Sequence, residues 1–461
     1  MDFTNAGYEA LLRNIFQRYP SVQKEGFSTG AYKPGLAQME AFDQALGYPS
    51  RAFRSIHIAG TNGKGSVANM LASALNACGY RTGLYTSPHI LDFRERMKIG
   101  GAMVPKEYVS EFLQKWLPWI EEHKLSFFEI TTGLAFKWFA DSEVDIAVIE
   151  TGLGGRLDST NILTPVLSVV TTIGLDHCDL LGRTLPEIAA EKAGIFKMGV
   201  PALVGETQPQ TMNVFTEKAW MFCPLTFADK VKPSLWSHHA TILRQMDLQA
   251  KVQEQNLRTV LAAIDILSPD FEALQNTEKV LEGIIHTARD MDFHGRWERL
   301  SANPYVLADI GHNAQALRSN FEQLKGLVAE GRFSSLIIVY GIMADKDLDA
   351  ILPLMPADAT YIFTAPDTPR ALPSDELLRR YNAFHAADEK PEEAPSAGPR
   401  LLSSRAYAYT NVRQAVQMAV QLAHNLSSQL SRSASAENPA PPLIYIGGST
   451  FVVAEALPLF R

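Results

Sequence analysis

The residues best placed to do chemistry lie between Phe53 and Ser66, FRSIHIAGTNGKGS. The stretch reads as a buried apolar strand that ends in a loop of small residues, followed by a helix over Val67 to Ala77. Gly60, Gly63 and Gly65 carry no side chain, so backbone N–H groups can turn inward around an anion. Lys64 adds a mobile cation, and Ser66 puts a hydroxyl where Mg²⁺ could sit. The positive end of the following helix dipole points at the same place. This is the physics of a phosphate-binding loop. The spacing departs from the usual G-x-x-x-x-G-K-[ST] because Gly65 is inserted between Lys64 and Ser66.

Three further groups take their meaning from that loop. Val144 to Glu150 is a continuous apolar run closed by a carboxylate, the pattern of a covered parallel strand with an acid at its carboxyl end. In phosphate-loop proteins such an acid holds Mg²⁺. A Gly-rich loop, Thr151 to Asn161, follows it. Val166 to Ile173 is the next buried strand and runs into Gly174-Leu175-Asp176-His177. Thr184 and Glu187 form a capping-box pattern, which starts a helix with Lys192 near its far end. Taken alone, His177 reads as a structural histidine and Lys192 as a solvated surface lysine. The charge-dense Asp92 to Arg96 fits a solvated loop and a site loop equally well.

The elements that must hold these groups follow from periodicity. Helices are expected over Tyr8 to Arg18, Leu36 to Leu46, Phe127 to Phe139 and Leu248 to Leu267, the last carrying Gln253 and Asn256. Lys33-Pro34-Gly35 punctuates the chain before the second of them, and Arg81 to Thr86 reads as a strand. Phe293-His294-Gly295-Arg296 looks like a junction. After it the strand–helix alternation restarts at Tyr305 and runs to a last strand at Pro442 to Ile446, with a helix over Asn411 to Ala423. That alternation argues two α/β domains, 1–296 with the phosphate loop on a parallel sheet and 297–461 with a Rossmann-like sheet. Ala386 to Pro399 and Ser427 to Pro442 read as exposed insertions rich in Ala, Ser, Pro and Glu.

Composition narrows the function. The chain has 461 residues, 46% hydrophobic and 20% charged, with a formal net charge of -8. Such a balance is that of a globular protein and argues against non-specific binding to nucleic acid or an anionic membrane. No apolar run approaches the ~20 residues that span a bilayer. The N-terminus lacks the basic start and apolar core of a signal peptide. Three scattered cysteines, Cys78, Cys178 and Cys223, make neither a disulfide framework nor a zinc motif. A cytoplasmic protein is expected, acting as a monomer.

With these residues placed, the sequence resembles the folylpolyglutamate synthase and dihydrofolate synthase family of the Mur ligase superfamily, in its bacterial bifunctional form. The resemblance rests on IHIAGTNGKGS, TSPHILDFRER, FFEITTGLAF, ETGLGGRLDSTN, GLDH and EKAGIFKMGVP, then HGRWE, DIGHN, GIMADKD and TPRALPSDEL, in family order. Ala250 and Val252 depart from the pattern ahead of Gln253 and Asn256. The resemblance implies a Mur ligase-like pair of α/β domains and an ATP-dependent amide ligase that joins L-glutamate to dihydropteroate and to the γ-carboxylate of reduced folates through an acyl phosphate. It implies that Gly63, Lys64, Gly65 and Ser66 bind the phosphates, with Asn256, Arg296 and Asp309 reaching ATP from the second half. It further implies one Mg²⁺ at Ser87 and Glu150, and a second at Glu150, His177 and Lys192, the lysine being carbamylated because an ammonium cannot ligate a cation. The pterin-bearing acid is expected against Ser126, Phe127, Phe128 and Glu129 and the loop Leu157, Asp158, Ser159, since aromatic faces suit a flat heterocycle. One of the two phenylalanines is expected in the core. A polyglutamylating enzyme without dihydropteroate activity, a nucleotide switch and a peptidoglycan-type ligase are the other readings.

Overall fold

The strand leading to the phosphate loop, β1 (Arg54–Ala59), is the structural centre of its unit. Its Ile56 and Ile58 are fully buried on one face and His57 on the other, as expected of a strand covered on both sides. In the computed structural model, which describes residues 4–19, 35–220, 223–388, 406–433 and 440–461, the chain divides into two units, Met1–Phe293 and His294–Arg461. The expected boundary at Arg296 falls just inside the second.

The first unit is built on an eight-stranded sheet. Besides β1 it contains β2 (Thr82–Tyr85), β3 (Met97–Ile99), β4 (Ala102–Met103), β5 (Ile146–Glu150), β6 (Leu167–Val170), β7 (Ala202–Val204) and β8 (Leu225–Phe227). The order is β4-β3-β2-β5-β1-β6-β7-β8. β1 runs parallel to β5 and β6, with Ile58 opposite Glu150. The carboxyl ends of β5, β1 and β6 therefore lie side by side, where ligands bind in open α/β sheets. Ile56, Ile58, Val148 and Val169 pack on one face against the helices Lys64–Ala77 and Gln253–Leu267. Tyr85, Ala147 and Ile149 pack on the other against Phe42, Phe136 and Phe139. Each such buried Ile, Val or Phe side chain contributes ~1.5–3 kcal/mol.

The second unit carries a six-stranded sheet: β9 (Glu298–Ala302), β10 (Tyr305–Asp309), β11 (Leu336–Tyr340), β12 (Ala359–Thr364), β13 (Ala406–Tyr409) and β14 (Leu443–Gly447). Its order is β13-β12-β11-β14-β10-β9. β9 alone among these strands is antiparallel to its neighbour. The late return of β14 between β10 and β11 makes this a doubly wound, Rossmann-like arrangement.

Two helices differ from their expected extent. The helix anticipated from Leu248 begins at Gln253. Asp247 is pulled elsewhere: its N–H donates to Ile285 O, and its carboxylate accepts from Arg289 N at 2.9 Å. The helix anticipated to end at Ala423 runs from Val412 to Ser433, so Ser427 to Ser433 is helical, not an insertion. No Gly or Pro interrupts it, and polar composition alone does not end a helix. Residues 434–439, and 389–399 from the other expected insertion, lie outside the described residues, as do Lys33 and Pro34.

Candidate active site

The phosphate loop is shaped by the segment that follows β6 as much as by its own glycines. Thr61 N donates to Thr172 O at 2.7 Å, Thr171 Oγ1 donates to Asn62 O at 2.6 Å, and Thr61 Oγ1 donates to Gly174 O at 3.1 Å. Gly63 caps the Lys64–Ala77 helix with φ +87°, a conformation only glycine adopts cheaply. A Cβ at Gly63 would lie 2.4 Å from Asn256 Oδ1. Asn256 Nδ2 donates to Gln253 Oε1 at 2.8 Å, and Gln253 Nε2 donates to Ser66 Oγ at 3.3 Å. Asn256 thus belongs to the first unit, against the loop itself. This corrects its assignment to the second half: the Gln253–Leu267 helix packs on the Lys64–Ala77 helix through the core under β1.

Lys64 turns back on its own loop, donating to Gly60 O at 3.0 Å and Thr61 O at 3.2 Å. Lys192 closes the Leu185–Lys192 helix, is 3% exposed, and donates to the same Gly60 O at 2.9 Å. Burial, and next Lys64, pull its ammonium down to about 7, while Asp176 and Asp158 act in the opposite sense. His177 adopts φ 52° beside Asp176, whose Oδ1 accepts from His177 N at 3.0 Å and whose Oδ2 lies 3.9 Å from Nε2. Glu150 is buried at the carboxyl end of β5, and its Oε2 accepts from Ser87 N at 3.1 Å.

The expected acceptor wall divides. Ser126 caps the Phe127–Asp141 helix, and its N and Oγ each donate to Glu129 Oε2 at 2.7 Å, so the pair is engaged with itself. Phe127 is 3% exposed, packed against Phe16, Phe93 and the Arg96 guanidinium. Phe128 is half-buried and presses on the Gly-rich loop: a Cβ at Gly152 would lie 2.4 Å from its Cζ. Leu157 is half-buried and Ser159 buried. Asp158 is buried, accepts from Leu153 N at 2.8 Å and from Thr160 N at 3.0 Å, and is pushed up by that burial. The same loop is stapled to the end of the Lys192 helix, with Arg156 N donating to Glu191 O and Asn161 Nδ2 to Gly194 O.

The remaining expected residues, Arg296 and Asp309, fall in the second unit. Asp309 ends β10 and accepts from Trp297 N, Gly311 N and Asn320 Nδ2 at 3.0, 2.8 and 2.7 Å. Three residues that the sequence reading named without assigning them a role stand close to the expected groups: Gln253 on Ser66, Asp176 toward Lys192, and Arg96 toward Glu150. The charge density of Asp92 to Arg96 was the signal for Arg96. The other charges there serve the loop, since Glu95 accepts from Ile90, Leu91 and Asp92 N, and Arg94 pairs with Asp92.

The donor set suits Mg²⁺ only in company. Among the described residues, no three His, Cys, Asp or Glu side chains form a ready-made cage. Mg²⁺ takes oxygen ligands and is commonly held by one or two carboxylates together with substrate phosphates. A buried Glu150, held by Ser87 N at the carboxyl end of β5, fits that mode.

A glycine loop opening a helix, a strand-terminal acid and two mostly parallel α/β sheets define a nucleotide-dependent ligase of the Mur type. Residues 58–258 match the Mur ligase middle domain and residues 295–428 the Mur ligase glutamate ligase domain. The chain is 31% identical to the dihydrofolate synthase/folylpolyglutamate synthase of Bacillus subtilis, over 81% of this chain and 90% of that one. It is 32% identical to the folylpolyglutamate synthase of Lacticaseibacillus casei, over 81% and 92%. A solved structure of Mycobacterium tuberculosis folylpolyglutamate synthase complexed with ADP superposes with a TM-score of 0.80 at 27% identity, covering 99% of this chain and 98% of that one. The chain belongs to the dihydrofolate synthase/folylpolyglutamate synthase family.

Proposed function

We propose that this protein is an ATP-dependent ligase that adds L-glutamate to dihydropteroate, giving dihydrofolate, and to the γ-carboxylate of reduced folates. The observation that carries the reading is Lys192, a lysine buried against the phosphate loop's Gly60 carbonyl. A nucleotide switch has no use for a second basic group there. A ligase that carbamylates it gains an anionic oxygen donor beside the phosphates. The neutral amine that attacks CO₂ is accessible at Lys192, because burial favours the uncharged form.

The acceptor carboxylate attacks the γ-phosphorus, a new O–P bond forms, and the bond to the β-phosphate oxygen breaks to release ADP. The glutamate amine then attacks the acyl carbon, loses a proton, and phosphate leaves. Lys64 and the N–H groups of residues 63–66 hold the β- and γ-phosphates in line. Bound Mg²⁺, held by Glu150, Ser87, Ser66, His177 and carbamylated Lys192, would neutralise phosphate charge. The loop 151–161 and Phe128 orient the acceptor and keep water from the acyl phosphate, which it would hydrolyse. Phe128 offers a flat face to a flat ring.

A cytoplasmic monomer completes the reading; no helix among the described residues is long and apolar enough to cross a membrane. The test is glutamate-dependent ADP release by the purified protein with dihydropteroate and with tetrahydrofolate in turn. Release with both is expected. Release with tetrahydrofolate alone selects the second reading, a folylpolyglutamate synthase, the name borne by the Lacticaseibacillus casei relative.

A further inference from the structure

His57 is wholly buried in the middle of β1, where an apolar side chain would be cheaper. Its Nε2 lies 2.8 Å from Thr160 Oγ1. Thr160 Oγ1 in turn donates to Asp158 Oδ1. A hydroxyl has one hydrogen, so the imidazole must be the donor in the first contact, which makes His57 the neutral Nε2–H form. Nδ1 has no hydrogen-bond partner among the described residues, as suits the nitrogen without the hydrogen. Burial pushes the imidazole down to about 3, in keeping with that neutral form.

The path continues from Asp158. Its carboxylate gathers Thr160 N, Leu153 N and Gly152 N. Gly152 is the residue on which the Phe128 ring rests. A chain of contacts thus runs from the centre of β1 to the aromatic face beside the Gly-rich loop. Lys197 Nζ and Asn161 Nδ2 hold the far side of that loop, on Asn161 O at 2.8 Å and on Arg156 O at 3.0 Å.

We infer that His57 and Thr160 are positioning residues of the acceptor site: through Asp158 they set the backbone of Gly152 and Leu153, and with it the place of Phe128. Neither need touch substrate. The inference rests on the folate-ligase reading, which makes Phe128 and this loop the acceptor wall.

Thr160→Val keeps the shape and removes the hydroxyl; Thr160→Ser restores it. KM for dihydropteroate, tetrahydrofolate and ATP is measured for each. Thr160→Val is expected to raise KM for the acids by roughly tenfold, since the buried hydrogen bonds to His57 and Asp158 are both lost, with KM for ATP within about twofold. Thr160→Ser should return KM for the acids toward the wild-type value. On the wild-type protein, ¹⁵N spectra of the His57 ring should report Nε2–H. Unmoved acid KM values in Thr160→Val, an equal rise for ATP, or an Nδ1–H ring would overturn the inference. If Thr160→Val does not fold, the wild-type tautomer and the kinetics of His57→Leu, which removes the donor, decide it: a rise in KM for the acids with KM for ATP unmoved supports it, and unmoved acid KM values overturn it. A wild type inactive with both acids removes the acceptor site and the inference together. An active wild type with an unmoved Thr160→Val fails the inference alone.

Discussion

Lys64 and Lys192 donate to one oxygen, the carbonyl of Gly60, at 3.0 and 2.9 Å. Two ammonium groups on a single acceptor repel one another, and the more deeply buried gives way. Burial and then Lys64 hold Lys192 down to about 7. The arrangement favours an uncharged Lys192, ready to take up CO₂, beside a Lys64 placed to meet phosphate.

Carbamylation of Lys192 should therefore follow pH. In ¹³C-bicarbonate, a carbamate resonance should grow as pH rises through about 7, because only the neutral amine reacts. Lys192→Ala should lose the resonance and glutamate-dependent ADP release, and a short-chain carboxylate should restore part of the activity. Full activity in Lys192→Ala would end the proposal.

Lys64→Ala should abolish ATP turnover and leave the fold intact, since Lys64 Nζ bonds two carbonyls of its own loop, Gly60 O and Thr61 O, rather than a distant core element. The shift in Tm should stay under ~4 °C. The same change removes a charge that lowers Lys192, so the carbamate curve should move to higher pH. Near-normal turnover would refute the phosphate-loop assignment.

Phe127 and Phe128 should separate stability from binding. Phe127→Ala empties a packed site beside Phe16 and Phe93 and should cost ~3–5 kcal/mol in denaturant unfolding. Phe128→Ala should cost less stability and raise KM for the acceptor acid while sparing ATP. Equal stability losses with unchanged kinetics would place both rings in the core.

Gly63→Ala should damage nucleotide use in particular. The new Cβ would sit 2.4 Å from Asn256 Oδ1 at a φ of +87°, and the left-handed conformation alone costs ~1–2 kcal/mol. A rise in KM for ATP is expected, partly relieved by Asn256→Ala. No relief would mean that strain, not the Asn256 contact, dominates.

Acid stability should report His57. The folded imidazole is held down to about 3 against an ordinary 6.5. Between those values the unfolded chain holds a proton that the folded chain does not, so stability is lost as pH falls from 6.5 toward 3. Urea unfolding across that range should show the loss, and His57→Gln should flatten it.

Much of this protein is legible from its sequence because the relevant signals are local. Gly63, Lys64 and Ser66 fall within one turn of chain, and the apolar run into Glu150 announces a strand covered on both faces. The alternation after Phe293 likewise gives a second α/β sheet without reference to any distant residue. The family pattern adds the likeness of distant segments in order. What tertiary structure decided is the allocation of partners. The sheet order β5-β1-β6 brings three strand ends together, and Lys192 reaches a carbonyl 132 residues away. Gln253 and Asn256 lie against Ser66 and Gly63 because two helices share one core. Asp158 turns inward because Gly152, Leu153 and Thr160 N–H groups satisfy it better than solvent can. Of two adjacent phenylalanines, helix rotation buries Phe127 and leaves Phe128 on the loop. A residue's type says which bonds it can make; only the packed chain says which partner arrives first, because hydrogen bonds and burial are settled by competition among groups far apart in sequence.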